Sequence, residues 1–426
     1  MQTIDAPLRR HRHLIPSALI ALLYCGSSVP SPLYRVYQSR WHFGDAMLTG
    51  VFSVYAVTVV VSLLLFGPLS DRCGRRTLTA VGLAIVTTSM LAFLLAPNVA
   101  WLFIARALQG VGVGVAGAAL TAAIVDSSPD DSTLGAVRAT VWSYLGLGVG
   151  VLGSGLLVAY IRDPISKAFV ALVIAFSIGL VASWMVAPHR VDPRHWPERR
   201  RTALGASGRS LRDLVIYGVG LAVSWAVGGL YLALGPSIAS VVTRSPSRVS
   251  GAIAISSLGL VGALVAALGA RFAAKLQVLV GAPALVAGLA VVVWACVGRS
   301  EPSFVAGSVL LASGWGLLSV GSFRAVVGLS NLDNRAAVIS VAYLISYCAF
   351  SVPTILGGLA VERYGLRETT IVFGVVTALG ATGAWVAGLR SIRRRDVAVT
   401  TPLAVKLDVG CNRASPSSGP DSWLNH

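Results

Sequence analysis

The side chains with the most evident chemistry lie in one short hydrophilic stretch, residues 67–76. Its members of interest are Gly67, Asp71, Arg72, Gly74, Arg75 and Arg76. The two glycines permit positive φ angles and a close approach of other backbone segments. The aspartate can accept hydrogen bonds from the free N–H groups at a helix start, and the arginines can hold a carboxylate of a neighbouring helix. These residue types predict a tight turn that is tied to its surroundings by charge.

The segments on either side of this turn indicate where it lies. Residues 47–66 and 78–96 are apolar and long enough to cross the hydrocarbon core of a membrane. Three arginines between two such segments favour the cytoplasmic side, by the positive-inside rule. The stretch 67–76 is therefore predicted to be a tight cytoplasmic loop. A plain solvated turn that obeys the same rule is the alternative interpretation.

An arginine also occurs within an apolar segment, where it needs a partner. Arg106 lies in a predicted helix at 100–125, and Gln109 follows one turn later. An arginine that faces lipid at the centre of a helix costs about 2.5–3.5 kcal/mol on insertion scales. We therefore expect Arg106 to face protein or a wet cavity. The alternative is that its side chain reaches outward to the interface beside Trp101.

Glycine and proline residues in three predicted helices are expected to shape helix packing. They are Gly110, Gly112 and Gly114 in the fourth helix, Gly150, Gly153 and Gly155 in the fifth, and Pro353 in the eleventh. No predicted strand precedes the first of these glycine runs, so a phosphate-binding loop is disfavoured.

Nine aromatic residues stand where they could line an internal cavity. They are Tyr24, Tyr55, Trp142, Tyr144, Trp225, Tyr231, Trp315, Tyr343 and Tyr347. Tyr343, Ser346, Tyr347 and Phe350 share one helix face, because their spacing is i, i+3, i+4 and i+7. Aromatic and hydroxyl groups that converge near the middle of a bundle would hold an amphipathic ligand by contact area. For each residue the alternative is ordinary helix packing or a position at the lipid interface.

The elements that must position these residues are membrane-spanning helices. Of the 426 residues, 55% are hydrophobic and 12% are charged, and the mean hydropathy is +0.76. Apolar runs of about 20 residues recur along the chain, which is typical of a polytopic membrane protein. An all-α fold with twelve transmembrane helices is predicted, at residues 14–36, 46–66, 78–96, 100–125, 136–160, 166–187, 213–235, 249–270, 276–297, 303–327, 336–360 and 368–390. The first helix lacks a small-residue cleavage site and is expected to be retained.

A hydrophilic linker with several prolines and arginines divides the helices into two halves. Short patterns recur between the halves at offsets near 201, as in residues 48–51 and 249–252, and Gly110-x-Gly112 recurs as Gly314-x-Gly316. Two pseudo-symmetric six-helix bundles are therefore predicted. The predicted domains are a cytoplasmic tail at 1–13, bundles at 14–188 and 213–390, the cytoplasmic linker at 189–212 and a disordered cytoplasmic tail at 391–426.

The net charge of +17 has a topological explanation. Most of the 34 lysines and arginines fall on the side of the two termini in this helix arrangement, which is the positive-inside signal. Anionic lipid headgroups are the expected partner of these charges, and no nucleic acid is expected.

No enzymatic activity, metal or cofactor is expected. The histidines lie in predicted loops or tails without the spacing of a metal site, and the cysteines are scattered. Neither a G-x-S-x-G elbow nor a G-x-x-x-x-G-K-[ST] loop occurs. Every Asp and Glu lies at a helix end, in a loop or in a tail, so Asp45 and Glu362 are the nearest candidates for a carboxylate that carries a proton. For both residues the alternative is a plain surface position, so the sequence does not identify the coupling ion.

Three of these patterns resemble motifs of the major facilitator superfamily of transporters. The turn at 67–76, G-P-L-S-D-R-C-G-R-R, resembles the family's loop between helices 2 and 3. The run at 106–114, R-A-L-Q-G-V-G-V-G, resembles its helix-4 motif. The glycine-rich fifth helix resembles a motif of the family's antiporters, although Val151 stands where that motif has proline. The resemblance spans about residues 14–390.

The resemblance implies roles for several residues. Asp71, Arg75 and Asp126 would form a charge-linked latch at an inner gate, with Asp71 facing the N-terminal end of the eleventh helix. Arg106, with Gln109, would take part in proton coupling. For Asp126 the alternative is a solvated residue at the end of a helix.

The resemblance also implies an alternating-access secondary transporter of the bacterial inner membrane, similar to drug:proton antiporters. We expect proton-coupled export of small amphipathic or apolar molecules by a functional monomer, with both termini cytoplasmic. Small-molecule substrate, protons and the lipid bilayer would be its partners. The alternatives are uptake or uniport of a small metabolite, and a transport-inactive receptor or scaffold, which the intact turn at 67–76 disfavours.

Overall fold

A computed structural model of the chain describes residues 13–66, 74–127, 132–186, 208–242, 249–329 and 335–400. Within these ranges the chain is helical, without strands, and twelve helices are long and apolar enough to cross a membrane. The protein is thus a multi-pass membrane protein, as predicted. The helices are α1 (Leu14–Ser28 and Pro30–Trp41), α2 (Asp45–Phe66), α3 (Arg75–Leu94), α4 (Val99–Asp126), α5 (Ser132–Tyr160), α6 (Pro164–Ala182), α7 (Gly208–Val242), α8 (Val249–Gly269), α9 (Ala274–Gly298), α10 (Glu301–Val327), α11 (Arg335–Tyr364) and α12 (Leu366–Thr400).

The first helix, α1, is interrupted at Val29 because a proline follows. Pro30 has no backbone N–H, so the carbonyl of Gly26 loses its partner in the helix. The second part of α1 continues to Trp41, beyond the predicted end at residue 36, and stops where His42 adopts a positive φ of 54°. The break therefore leaves, in the middle of α1, an acceptor without a partner in its own helix.

The helices of the two halves pack in the same order. In the first half α1 packs on α5, α2 on α4, and α3 on α4 and α6; in the second half α7 packs on α11, α8 on α10 and α9 on α10. In addition, the Trp385 indole on α12 donates a hydrogen bond of 2.9 Å to the carbonyl of Leu279 on α9. The pairings α1–α5, α2–α4 and α3–α4 recur six helices later, so the fold consists of two pseudo-symmetric six-helix bundles.

Glycines bring corresponding helices together in both bundles. A Cβ on Gly112 of α4 would lie 2.7 Å from the carbonyl oxygen of Gly82 on α3. A Cβ on Gly314 of α10 would overlap the backbone nitrogen of Leu285 on α9. Gly112 and Gly314 are 202 positions apart. The packing therefore matches Gly314 to Gly112, whereas the sequence pattern aligned Gly314 with Gly110.

The two bundles meet mainly along two helix pairs, α2 with α11 and α5 with α8. Phe52 of α2 stacks on Phe350 of α11, with ring centroids 5.7 Å apart. Backbone meets backbone where α5 passes α8, because a Cβ on Gly259 would lie 2.6 Å from the Cα of Gly148. These two contacts border the space that the bundles enclose.

Candidate functional site

A cavity of about 210 Å³ lies between the bundles, and side chains of α1, α2, α4, α5, α7, α10 and α11 line it. Seven of the nine aromatic residues singled out in the sequence lie on its wall: Tyr24, Tyr55, Tyr144, Trp225, Trp315, Tyr343 and Tyr347. Phe350, which the sequence placed on the same helix face as Tyr343 and Tyr347, also lines it, as do Phe52 and Phe323, which the sequence interpretation did not include. The wall is thus largely aromatic.

The other two predicted aromatic residues, Trp142 and Tyr231, lie outside the lining. Trp142 is half-buried in helix packing, and the Tyr231 hydroxyl is hydrogen-bonded to the hydroxyl of Ser308. Helical spacing explains both positions. The lining residues of α5 and α7 recur every three or four positions, and those nearest these two aromatics are Thr140, Ser143, Tyr144 and Leu147 on α5 and Trp225, Gly228 and Leu232 on α7. In the sequence, this periodicity could have separated the aromatic residues that line the cavity from Trp142 and Tyr231.

Ring contacts hold the aromatic wall together across the two bundles. Tyr144 of α5 packs against Trp315 of α10 with centroids 4.4 Å apart, and its hydroxyl lies 2.8 Å from that of Ser319. The Trp315 indole N–H in turn donates to the carbonyl of Ser224, which fixes the orientation of the ring. The cavity therefore offers flat apolar surfaces with hydroxyl groups at their edges, which suits an amphipathic ligand.

The cavity is closed toward the helix ends near Glu362, which we call the Glu362 face. The backbone N–H of Ala46, in the first turn of α2, donates to the Glu362 carboxylate at 2.9 Å. The Ser31 hydroxyl donates to the carbonyl of Leu232. A Cβ on Gly358 of α11 would overlap Thr49 of α2. These contacts link α1 and α2 to α7 and α11 and block this end.

Toward the opposite helix ends, which we call the Arg75 face, the cavity continues. Its lining includes Thr121, near the end of α4, Ala136, near the start of α5, and Arg324, in the last turn of α10. The Arg324 guanidinium donates to the carbonyls of Ala270 and Phe272, at 3.3 and 3.1 Å. The structure is therefore sealed at the Glu362 face, and the lining reaches the helix ends of the Arg75 face.

Arg106 is fully buried, with 0% of its surface exposed, one layer behind the cavity wall. Its guanidinium donates to the Tyr34 hydroxyl, to the Ser27 carbonyl at 2.9 Å and to the Gln109 amide oxygen. The ring centroid of Phe52 lies 4.9 Å from its Cζ, and those of Tyr34, Tyr55 and Phe93 lie 5.3, 5.3 and 5.7 Å away. The side chain is thus enclosed by protein, within cation–π distance of four rings.

Gln109 extends this link between α4 and α1. Its amide nitrogen donates to the carbonyl of Gly26 at 2.9 Å. Because Pro30 has no N–H, this carbonyl has no partner within the helix, and the Gln109 amide satisfies it. Gln109 thereby joins the break in α1 to the buried Arg106.

The residues of the predicted latch lie only partly within the described ranges. Gly74, with a positive φ of 84°, precedes α3, and Arg75 Nε lies 3.2 Å from Asp126 Oδ2 at the end of α4. Arg76 donates to the carbonyl of Val186, after α6, at 3.1 Å. Gly67, Asp71 and Arg72 lie outside the described residues. The described part of the turn therefore joins α3 to the ends of α4 and α6.

Most of the predicted packing glycines lie against neighbouring helices. A Cβ on Gly110 or Gly114 would approach α2, one on Gly150 would approach α1 at Cys25, and one on Gly155 would overlap Ala252 of α8. Gly153 differs, because a Cβ there would meet no atom within 4 Å. Pro353 lies inside α11, three residues after Phe350 of the cavity wall. The glycines of α4 and α5 thus have unequal packing roles.

Comparison with known proteins relates this architecture to transporters. The chain is 24% identical over 391 residues to the MFS-type transporter YybF of Bacillus subtilis strain 168, a match that covers 88% of this chain and 92% of YybF. Shorter matches occur to multidrug resistance protein D of Escherichia coli K12, 37% identical over 73 residues, covering 17% of this chain and 18% of that protein. The multidrug transporter MdfA of Escherichia coli O6:H1 is 30% identical over 125 residues, covering 29% and 30%.

A solved structure and a family description agree with these matches. The crystal structure of the nucleoside transporter NupG superimposes with a TM-score of 0.70 at 13% identity, covering 88% of this chain and 99% of that one, which shows a shared fold. The description of the Major Facilitator Superfamily matches residues 17–353. The paired six-helix bundles, the cavity between them and this match over most of the chain show that the protein belongs to the Major Facilitator Superfamily of transporters.

Proposed function

We propose that the protein exports small amphipathic molecules across the inner membrane in exchange for protons, by alternating access. The observation that carries this proposal is the aromatic cavity, which is sealed at the Glu362 face and extends to the Arg75 face. Two relatives that match part of the chain are named as multidrug proteins, which supports export. One chain encloses the whole cavity by itself, which supports a functional monomer.

The orientation of the chain is part of the proposal. We place the Arg75 face and both termini in the cytoplasm, because the arginines of residues 67–76 and of the linker at 189–212 would then obey the positive-inside rule. Residues 14–188 and 213–390 are the two bundles that rock about the cavity. In this orientation the cavity is available from the cytoplasm, as an exporter requires when it takes up its substrate.

Proton coupling is assigned to Arg106 and Gln109, which join α4 to the break in α1 behind the cavity wall. A substrate or proton that alters the charge in the cavity would alter the energy of the buried guanidinium, and α1 and α4 would respond together.

The test is transport by the purified protein in proteoliposomes. Three probes share a naphthalene body and differ in charge: the anion 2-naphthalenesulfonate, the neutral 2-naphthamide and the cation (2-naphthyl)trimethylammonium. An imposed pH gradient should drive movement of at least one probe against its concentration gradient, and protein-free liposomes should show none. Movement of a probe at a rate that does not depend on the pH gradient would reject proton coupling and favour uniport.

Removing the carboxylate at the Glu362 face should favour opening of that face. The Glu362 carboxylate accepts from Ala46 at the N-terminus of α2, an interaction worth about 0.3–1 kcal/mol at an exposed site. Glu362→Ala should therefore raise the outward-open population about two- to fivefold. Pulsed dipolar spectroscopy between spin labels on exposed Ser39 of α1 and Val241 of α7 measures the outward-open population as the fraction with the longer distance between the labels. Glu368→Ala, in the first turn of α12, is the control, and an equal shift there would contradict the role of Glu362.

Weakening the latch should slow transport with little effect on stability. Asp126, whose side chain is 46% exposed, pairs with Arg75 at 3.2 Å, and such exposed pairs contribute at most about 1 kcal/mol. We expect Asp126→Asn, like Asp71→Asn, to lower the transport rate severalfold while the melting temperature stays within a few degrees. Asp163→Asn, at the exposed start of α6, is the control. A normal transport rate in both latch variants would remove the latch from the mechanism.

A further inference from the structure

The charges around the cavity are all of one sign among the described residues. Arg324 is the charged side chain on the lining, and no Asp or Glu of the described ranges shares that wall. The remaining polar groups of the lining are the hydroxyls of serine, threonine and tyrosine and the indole N–H groups of tryptophan. A cation placed in this cavity would meet no carboxylate there, whereas an anion would meet a guanidinium.

The buried Arg106 adds a second positive charge, and no carboxylate of the described residues pairs with it. Its hydrogen bonds go to a hydroxyl, a carbonyl and an amide, and its Nη2 atom has no hydrogen-bond partner in the part of the chain that the structure describes. A buried charge is costly unless it is both paired and hydrogen-bonded. Aromatic faces offset part of this cost through cation–π attraction. Arg106 is thus a fixed positive charge that attracts an anion and that no carboxylate of the described residues neutralises.

This charge lies close enough to the cavity to act on its contents. Ser27, Phe52 and Tyr55 each contact Arg106 and each line the cavity, so one layer of side chains separates the guanidinium from a ligand. The Phe52 and Tyr55 centroids lie 4.9 and 5.3 Å from the Cζ of Arg106. Because this layer consists of protein side chains and Arg106 is fully buried, the attraction of a charge across it is screened less than in bulk solvent.

The position of Arg324 complements that of Arg106. Arg324 lies in the last turn of α10, at the end of the cavity on the Arg75 face. Hydrogen bonds to the carbonyls of Ala270 and Phe272 hold its guanidinium there. Arg106 lies behind the wall formed by Phe52 and Tyr55, and Phe52 stacks on Phe350 where the bundles meet. A ligand that enters past Arg324 therefore moves from one positive charge toward another.

We propose that the cavity selects amphipathic anions: molecules with an apolar aromatic body and one acidic group. The rings of Trp225, Trp315 and Tyr347 receive the body, and the acidic group is attracted by Arg324 at entry and by Arg106 in the bound state. Neutral analogues bind more weakly, and cations of the same shape are disfavoured. This inference rests on the proposed function, because it names the substrate class of the same cavity.

The experiment is equilibrium dialysis of the full-length protein in detergent against 2-naphthalenesulfonate, 2-naphthamide and (2-naphthyl)trimethylammonium. The sulfonate should bind about tenfold more tightly than the amide, and the ammonium compound more weakly than either. Arg324→Gln and Arg106→Gln should each reduce the advantage of the sulfonate at least about threefold, with the amide little changed. Arg162→Gln, on the exposed loop before α6, is the matched control and should change nothing.

If Arg106→Gln does not fold, Arg106→Lys is used in its place. Because it keeps the positive charge, this variant should retain the preference for the sulfonate. Equal binding of all three probes, tighter binding of the ammonium compound, failure of the sulfonate to bind, or an undiminished advantage of the sulfonate over the amide in both glutamine variants would overturn the proposal. The proposed function fails by a different result, namely absence of transport driven by the pH gradient. Transport without a preference for the anion would leave that function standing and reject this inference alone.

Discussion

Arg106→Gln should lower the rate of proton-driven transport at least about tenfold, one of the two largest effects that we expect from a single substitution. The guanidinium joins α4 to α1 through Ser27, Tyr34 and Gln109. A glutamine side chain is shorter and cannot supply these three donors together, and a buried acceptor without a donor costs about 1–3 kcal/mol. Removal of an unpaired buried charge offsets part of that cost. We therefore expect a larger loss in transport than in melting temperature.

Arg106→Lys separates the charge from the geometry. Lysine keeps the positive charge but lacks the planar fork that reaches the Ser27 carbonyl and the Gln109 amide oxygen. An intermediate rate is expected if both the charge and the link between helices matter. Rates are measured in proteoliposomes, normalised to protein that elutes as a single species in size-exclusion chromatography, with Arg162→Gln as the control. A wild-type rate in Arg106→Gln would show that the buried arginine is not needed for transport.

The partners of Arg106 show how far the sequence could predict the site. The cost of an arginine in lipid predicted that the side chain would face protein or a cavity. The free carbonyl of Gly26 also follows from Pro30 alone, four residues later. The other partners could not be derived, because Tyr34 and Ser27 are 72 and 79 positions away along the chain and meet Arg106 only through the packing of α1 on α4.

The fold was more predictable than the detail of its surfaces. Long apolar runs and the recurring patterns predicted twelve helices in two bundles, because bilayer thickness constrains each span. The sequence could not show that Phe52 stacks on Phe350, since that contact depends on how α2 meets α11. A helix end was also missed, because α12 continues to Thr400, past the predicted end at residue 390.

Gly259→Ala should also abolish most transport, because it adds a carbon where two backbones meet. A Cβ on Gly259 of α8 would overlap the backbone nitrogen of Gly148 on α5 and would lie 2.6 Å from the Tyr144 carbonyl oxygen. These are backbone atoms, so no side chain can rotate away, and α5 and α8 must separate. Overpacking of this kind typically costs about 1–3 kcal/mol.

The location of this contact makes the functional loss larger than the loss of stability. Gly148 and Gly259 lie on different bundles, and Tyr144 forms the cavity wall through Trp315 and Ser319. Separation of α5 from α8 would displace Tyr144 from the wall and change the surface on which the two bundles rock. We expect a rate at least about tenfold lower, together with a melting temperature lower by several degrees.

A matched control lies on α5, the helix that Gly259 contacts. Gly153 of α5 follows Gly148 by five residues and lies on a different, exposed face of the helix, where a Cβ would meet no atom within 4 Å. Gly153→Ala makes the same chemical change in the same kind of helix and should stabilise the protein by about 0.5–1 kcal/mol, because alanine favours helix over glycine. Equal transport by the two variants would contradict the close approach of α5 and α8, whereas loss in Gly259→Ala alone would show that this backbone contact is needed as the bundles move.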